Sequence, residues 1–494
     1  MSESKKATII GAGIGGIATA VFLAKKGYQV GIFEKNQSAG GRCGQLIRDG
    51  YRFDLGATML MMPETYSEIF KALDIPLFEN GDVEKLDELY KIYFDNNDTL
   101  EFTTDSARME KQLEKIEPGS FRRSQEYVSK GYEIFKLGMT RLVGRNFYNF
   151  FQFATPSNLS LLIRLKTYVS HWKYARRFFK DKHLLMAYTF QNIYVGQSPF
   201  NSPALFSMVP AAELTEGSFF PKGGMYSIVE KLLAAAQSAG VSIHYNCAVS
   251  KINVNGNRAE SITLEDGRTI SSDIIVSNAD LPYVYRRLLP DKNRSARIDR
   301  LNYSCSAICY HWGLDKTYPQ LAHHNVFLSD GFKEGLDNIF IEKTVSDTPS
   351  FYVHAPVRTD KTAAPEGHEA LSFIVAAGHT DKSKKQDWNA LKKSTRAALI
   401  KRLEQAGLED IERHIKFEVC YTPENWENAC NITRGSVFGS VGHNILQMGW
   451  FRPHNRHPRY KNLYFTGGST HPGNGIPNVL LSAKLTSERI MNDK

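Results

Sequence analysis

The chain predicts an α/β fold in which a discontinuous Rossmann-type domain carries a mixed-sheet second lobe and a helical insert. Three observations carry that prediction. Residues 7–35 read ATIIGAGIGGIATAVFLAKKGYQVGIFEK, an apolar strand, a glycine triplet, an apolar helix and a second strand ending on an acid. Residues 462–490 form another short apolar strand, a glycine-rich loop and a helix, as if the chain returned to the first unit. Between them, alternating strand patterns surround a basic, Pro-punctuated helical stretch at 106–199.

The first unit has the parts needed to hold a dinucleotide. Gly11 allows the tight strand-to-helix turn, Gly13 a close backbone approach to a pyrophosphate, and Gly16 close helix–strand packing. The helix start offers free N–H groups to phosphate, and Gly27 is the expected helix stop. Glu34 follows Gly13 by 21 residues, where a carboxylate takes both ribose hydroxyls and disfavours a 2′-phosphate. FAD or NAD is therefore expected rather than NADP. Next come Ala39-Gly40-Gly41-Arg42, an extended loop with a fixed positive charge, and Asp54-Leu55-Gly56-Ala57-Thr58, a second backbone approach to the cofactor.

The middle of the chain reads as Phe219-Phe220-Pro221-Lys222-Gly223-Gly224, an amphipathic helix Tyr226–Ser238, and strands with turns near Asn255-Gly256 and Asp266-Gly267. A buried strand, Asp273–Ser277, leads into Asn278-Ala279-Asp280. Residues 291–439 alternate strands with one helix near Trp388–Gln405. In the tail, Asn462–Thr466 is a short buried strand and Pro477 suits a first helical turn. That helix start favours negative charge on a reduced flavin ring, and a plain NAD dehydrogenase has no need of the return strand. FAD is therefore expected. Its expected contacts are Gly11, Gly13, Gly15, Gly16, Glu34, Lys35, Gly41, Arg42, Gly56, Ala57, Thr58, Val249, Gly467, Gly468, Ser469, Gly475, Ile476 and Val479.

With 494 residues, 42% hydrophobic and 23% charged, the chain suits a globular protein of two or three lobes. Six scattered cysteines form no C-x-x-C pair; Cys305 and Cys309 fall on one face of a strand and are expected to pack. With no signal peptide and a fold that starts at residue 7, a reduced cytoplasmic chain is expected. No run of 18 apolar residues is present. The net charge of +9 is concentrated in residues 121–182, which hold 13 Lys/Arg, three acids and 14 aromatics, among them Phe147, Tyr148, Phe150, Phe151, Phe153, Trp172, Phe178 and Phe179. Such an insert suits an anionic bilayer surface, with cations at headgroups and rings at the acyl boundary. The competing readings are a solvated basic lobe and a nucleic-acid site, the latter without any accompanying motif.

Several segments together resemble the bacterial-type carotenoid (phytoene) desaturase family of flavoproteins. They are GAGIGGIATAVFLAKKGY with IFEKNQSAGGR, FFPKGGMYSIVEKL, SDIIVSNAD, QLAHHNVFL, APVRTDKTAAPEG, the weaker FQNIYVGQSPF, and GWFRPHNRHPRYKNLYFTGGSTHPGNGIPNVLLSAK. The first is shared by many flavoproteins of the glutathione-reductase-like fold; THPGNGIP and FRPHNR are far more specific. The resemblance implies FAD-dependent dehydrogenation of a long carotenoid polyene by a peripheral enzyme on the inner membrane surface, with electrons passed to quinone or oxygen. Gly56-Ala57-Thr58, in place of Gly-Pro-Thr, and Gly217-Ser218-Phe219-Phe220, lacking the usual tryptophan, point within that family to the hydroxycarotenoid 3,4-desaturases. The expected division is 1–72, 222–290 and 440–494 for the FAD domain, 73–105, 200–221 and 291–439 for the substrate domain, and 106–199 for the membrane-associating insert.

Desaturating a CH–CH unit removes a hydride, which a flavin accepts, and a proton. An apolar tunnel with few acids suits that chemistry. The sequence marks no clear general base. His471, in the flavin-facing loop, is the catalytic candidate, with a loop-bracing hydrogen bond as its other reading. His323-His324 and His454-x-x-His457 have ligand-like spacing, but Arg452, Arg456 and Arg459 surround the second pair, and no metal is assigned. Amine or porphyrinogen oxidases, prenyl-binding escort proteins and flavin-dependent carotenoid isomerases stay open as alternatives of the same fold.

Overall fold

The computed structural model describes residues 4–493 except Asn80, Pro290 and Lys385; the ends of the expected divisions at 1, 290 and 494 fall outside the described residues. One five-stranded parallel sheet forms the first lobe, with strands in the order Leu463–Phe465, Ile274–Ser277, Lys6–Ile10, Gln29–Phe33 and Ser242–His244. The β-branched run Thr8-Ile9-Ile10 suits a strand covered on both faces, and all three residues are buried. Helix Ile14–Ala24 packs against Tyr226–Ser238 on one side and Ile476–Asn492 on the other. Its shared core includes Ile17, Val21, Ile228, Leu232, Leu480 and Leu481. A three-stranded antiparallel sheet, Val249–Asn255, Arg258–Leu264 and Thr269–Ser271, covers the opposite face.

The second lobe is a seven-stranded mixed sheet. Its order is Ile415–Tyr421, Ser306–Leu314, Glu369–Ala377, Phe351–His354, His324–Phe327, Glu88–Tyr93 and Thr99–Thr103, and one pair, His324–Phe327 with Glu88–Tyr93, is parallel. Helix Trp388–Gln405 packs on one face through Leu399 and Leu403. The other face turns toward the first lobe and the cavity described below. Cys305 and Cys309 are both buried here as packing thiols.

The helical segment holds Ser106–Ile116, Ser120–Gly138, Pro156–Arg164 and several shorter turns. Pro156 begins a helix instead of breaking one, because its missing N–H falls in the first turn. One expectation for this segment is corrected. Phe147, Phe153, Phe178 and Phe179 are buried in local cores and cannot reach a bilayer; the rings left exposed are Tyr148, Phe150, Phe151 and Tyr168. Composition could not separate the two sets, since a small helical lobe needs aromatics for its own core.

Candidate functional site

A single cavity of about 940 Å³ runs between the lobes. At one end lie Glu34, Lys35, Val249 and Glu265; in the middle Gly11, Gly13, Gly15, Gly41 and Arg42; then Gly56, Ala57, Thr58, Gly467, Gly468, Ser469, Gly475, Ile476 and Val479. Gly16 lies behind this wall. A Cβ there would stand 2.2 Å from the Gly11 carbonyl oxygen, so its role is to let the loop close. Gly11 has φ of +95°, the left-handed turn that its position demands. Glu34, buried after the second strand, accepts the Ala12 N–H at 2.7 Å on one oxygen and the Asn36 N–H at 2.9 Å on the other. These bonds aim the carboxylate at the glycine loop and leave each oxygen a lone pair for a ribose hydroxyl.

The two ends of the sequence meet around Asn278. Its side-chain oxygen would lie 2.6 Å from a Cβ at Gly13, its amide nitrogen 2.8 Å from one at Gly15 and 2.7 Å from one at Gly467. Its Nδ2 also donates to the Thr466 carbonyl at 3.1 Å. Arg42 donates to the Val437 carbonyl at 2.9 Å and reaches within 2.8 Å of a Cβ built on Gly468. Helices Ile14–Ala24 and Ile476–Asn492 start with no side chain capping either N-terminus, so both present backbone N–H groups. Lys35 spends its ammonium on the Asn428 carbonyl, at 2.7 Å, and Asn431.

Arg452, from the FRPHNR stretch, is fully buried under the tail loop. Its guanidinium donates to the carbonyls of Thr470, Gly468, Gly442, Gln447 and Val441 at 2.6–3.2 Å. Asn455 adds a bond to the His471 carbonyl at 2.9 Å. His471 is buried with Nε2 donating to the Arg145 carbonyl at 3.1 Å, and burial pushes its pKa down to about 4. The ring is therefore neutral at pH 7, ties the tail loop to the helical segment, and lines the cavity.

Beyond the loop, the cavity becomes an apolar chamber. Phe190, Ile193, Leu205, Phe206, Val326, Leu328 and Phe332 line it. Four carboxyls border the whole cavity among the described residues. Glu34 and Glu265 belong to the far end, and Asp280 is held by the Thr433 N–H and the Ser440 hydroxyl. Glu213 alone lies in the apolar part. It sits on helix Met208–Glu216, is 2% exposed, and accepts from the Tyr90 hydroxyl at 3.0 Å; Gln191 Nε2 donates to that hydroxyl at 2.7 Å. Its second oxygen faces the hydroxyl of neighbouring Tyr194 without a well-formed hydrogen bond. Burial pushes the Glu213 pKa up to about 8, against smaller lowering by Tyr90, Tyr194 and Gln191. No local motif marks this residue in the sequence; Pro210 falls in the first turn of its helix, where it is tolerated, and Gly217 with φ of +89° ends the helix.

The family-model comparison matches residues 14–491 to the flavin containing amine oxidoreductases. Among curated proteins, the zeta-carotene-forming phytoene desaturase of Myxococcus xanthus is 38% identical over 99% of this chain and 94% of its own. The 4,4′-diapophytoene desaturase (4,4′-diaponeurosporene-forming) of Staphylococcus aureus is 33% identical over 99% of both chains. The chain belongs to the carotenoid desaturases of the flavin containing amine oxidoreductase family. Among solved structures, an oxidoreductase of Methanosarcina mazei superposes with a TM-score of 0.66 at 15% identity over 98% of this chain and all of its own, and putrescine oxidase with 0.63 at 15% over 99% of both. These two show the shared fold alone.

The residues fit the FAD of such an oxidoreductase. Glu34 meets the ribose requirement, the cradle at Gly13 and Gly15 admits no side chain, and two uncapped helix starts face the same channel. Asn474 Oδ1 and Asn478 Oδ1, both in the tail loop or its helix, are buried acceptors without partners and point to a ligand with donors.

Proposed function

We propose that the chain desaturates a carotenoid, taking a hydride and a proton from adjacent carbons of a long polyene. FAD supplies the two-electron acceptor when bound. The observation that carries this reading is the continuity of the cavity from the Glu34 end into an apolar chamber with one isolated carboxyl. Glu213 is the proton acceptor in this reading. Its carboxylate receives the proton from the carbon next to the allylic cation, whose C–H electron pair becomes the new double bond. The low-polarity chamber that raises its pKa also makes it a stronger base. His471 braces the loop. Arg452 keeps positive charge beneath that loop, which favours electron density arriving there.

The substrate enters from a membrane surface in this account. The cavity lining includes Leu162 and Leu165 and, reaching the surface, Ile445 and Phe451. In the same segments of the chain, Phe151 is 81%, Tyr168 72%, Leu446 69% and Ile163 65% exposed. Phe150 against Trp450 and Phe153 against Phe451 join the two segments that carry these side chains. Exposed apolar side chains in a stretch that also carries Arg141, Arg145 and Lys166 suit a peripheral site on anionic lipid. No helix among the described residues is long and apolar enough to cross a membrane. With FAD bound, a quinone in the same bilayer, or oxygen, would take up the two electrons.

The test supplies FAD-loaded protein with a carotenoid in anionic liposomes and a quinone. A phytoene-type hydrocarbon comes first, following the relatives' names, and a hydroxycarotenoid second. Products lighter by two hydrogens per step support desaturation. Unchanged substrate from both classes overturns it.

A further inference from the structure

Three histidines from two separate stretches of sequence converge behind the chamber wall. His354 ends strand Phe351–His354 and stands directly opposite His324, which begins strand His324–Phe327; His323 precedes it. One ring nitrogen from each lies within 4.8 Å of the others, and all three residues are buried. His323 Nε2 and His354 Nε2 are 3.0 Å apart. The outward nitrogens are already engaged. His323 Nδ1 meets the Thr359 hydroxyl at 2.7 Å, and His324 Nδ1 meets the Tyr352 hydroxyl at 2.6 Å. With those nitrogens as donors, Nε2 of His323 and of His324 carry lone pairs. His324 Nε2 then has no partner at all, and neither has His354 Nδ1.

We propose that His323, His324 and His354 bind a zinc-class divalent cation. Three imidazoles, two of them with outward nitrogens fixed by hydroxyls, are the donor set that such an ion selects. Zinc–nitrogen bonds of about 2.0–2.1 Å in a tetrahedron place ligand nitrogens about 3.4 Å apart, inside the range these rings already span. Burial, more than any neighbouring charge, holds all three rings in the neutral form that ligates. Arg358, whose charge acts on His323, is itself paired with Glu369 and donates to the Leu321 and Tyr318 carbonyls. The sequence offered only His323-His324, two ligands in a row; the strand pairing brings the third.

The position gives the ion a structural role. Tyr352, bonded to His324, also meets the Thr58 hydroxyl at 2.8 Å. An ion on His324 thus fixes the pairing of two strands and, through Tyr352, the Gly56–Thr58 loop that faces the flavin.

The test uses full-length FAD-loaded protein, stripped with a chelator, then given Zn²⁺ or Co²⁺ and desalted. Elemental analysis is expected to find about one ion per chain, with Co²⁺ giving the visible bands of a nitrogen-rich tetrahedral site. His324→Gln and His354→Gln are each expected to lower retention at least about tenfold. His457→Gln, whose ring instead accepts backbone N–H groups of Arg459 and Tyr460, retains the ion. Zn²⁺ is also expected to raise the melting temperature of the unsubstituted protein and of His457→Gln. Two results overturn the proposal: less than about a tenth of an ion per unsubstituted chain after reloading, or full retention in His324→Gln and His354→Gln.

Discussion

Replacing Glu213 with Gln tests the proton acceptor and the energetics of its burial together. A carboxyl whose folded pKa is about 8 and whose ordinary value is 4.5 holds a proton that the unfolded chain releases. Its contribution to stability is therefore full below about 4.5 and is lost as pH rises through about 8. At about 1.4 kcal/mol per pH unit, the loss over that window is about 4–5 kcal/mol. Gln keeps the shape and the Tyr90 contact but does not ionise. Urea melts from pH 5 to pH 9 are expected to show the unsubstituted protein losing stability by several kcal/mol more than Glu213→Gln. Catalysis gives the second readout. Tyr90, Tyr194 and Gln191 are the polar groups that face the carboxyl. If the carboxylate takes the proton, kcat/KM rises about tenfold per pH unit below pH 8 and then levels. Glu213→Gln loses about 10²–10⁴-fold and the rising limb with it. Equal activity and an unchanged pH profile in Glu213→Gln would refute the assignment, even if the stability difference were found.

Three further outcomes follow from the geometry. Glu34→Ala removes two charge-assisted bonds to ribose, and FAD retention measured by fluorescence should fall at least tenfold, about 1.5–3 kcal/mol per bond lost; undiminished retention contradicts the ribose role. Phe151→Ser with Tyr168→Ser should lower partition into anionic liposomes at least about tenfold, since each ring contributes about 1.5–3 kcal/mol when it enters the acyl boundary. Sedimentation with vesicles reads this directly, and salt should release the protein. Gly475→Leu places a side chain at φ of +89° on the tail helix start and should abolish turnover while the adenosine end still binds; normal turnover would remove that helix start from the flavin site.

The geometry of the glycine-loop half of the cavity was legible because its constraints are local. Gly11 needs a left-handed turn, Gly16 needs room for one carbonyl, and Glu34 needs to end a strand, so each leaves a residue type at a fixed spacing. The helix Tyr226–Ser238 was legible because its apolar residues repeat with the helical period. What could not be read depends on pairing across long sequence distances. Asn278 is an ordinary residue after a strand until the tail strand pairs beside it. Glu213 is one acid among several until helix Met208–Glu216 turns it inward on Tyr90, 123 residues away. His354 joins His323 and His324 only through the register of two antiparallel strands. The aromatic signal of the helical segment was real but mixed, because Phe178 and Phe151 look alike in composition and differ entirely in burial.

The central claim is that the chain, with FAD bound as its two-electron acceptor, would remove two hydrogens from a carotenoid. An anaerobic single turnover tests it most directly. FAD-loaded protein is mixed, without quinone or oxygen, with carotenoid in anionic liposomes, and flavin absorbance and product mass are followed together. The account predicts that the oxidised flavin band bleaches as one double bond forms per flavin, with loss of two hydrogens and a carotenoid spectrum shifted to longer wavelength. A product of unchanged mass formed while the flavin stays oxidised would contradict it.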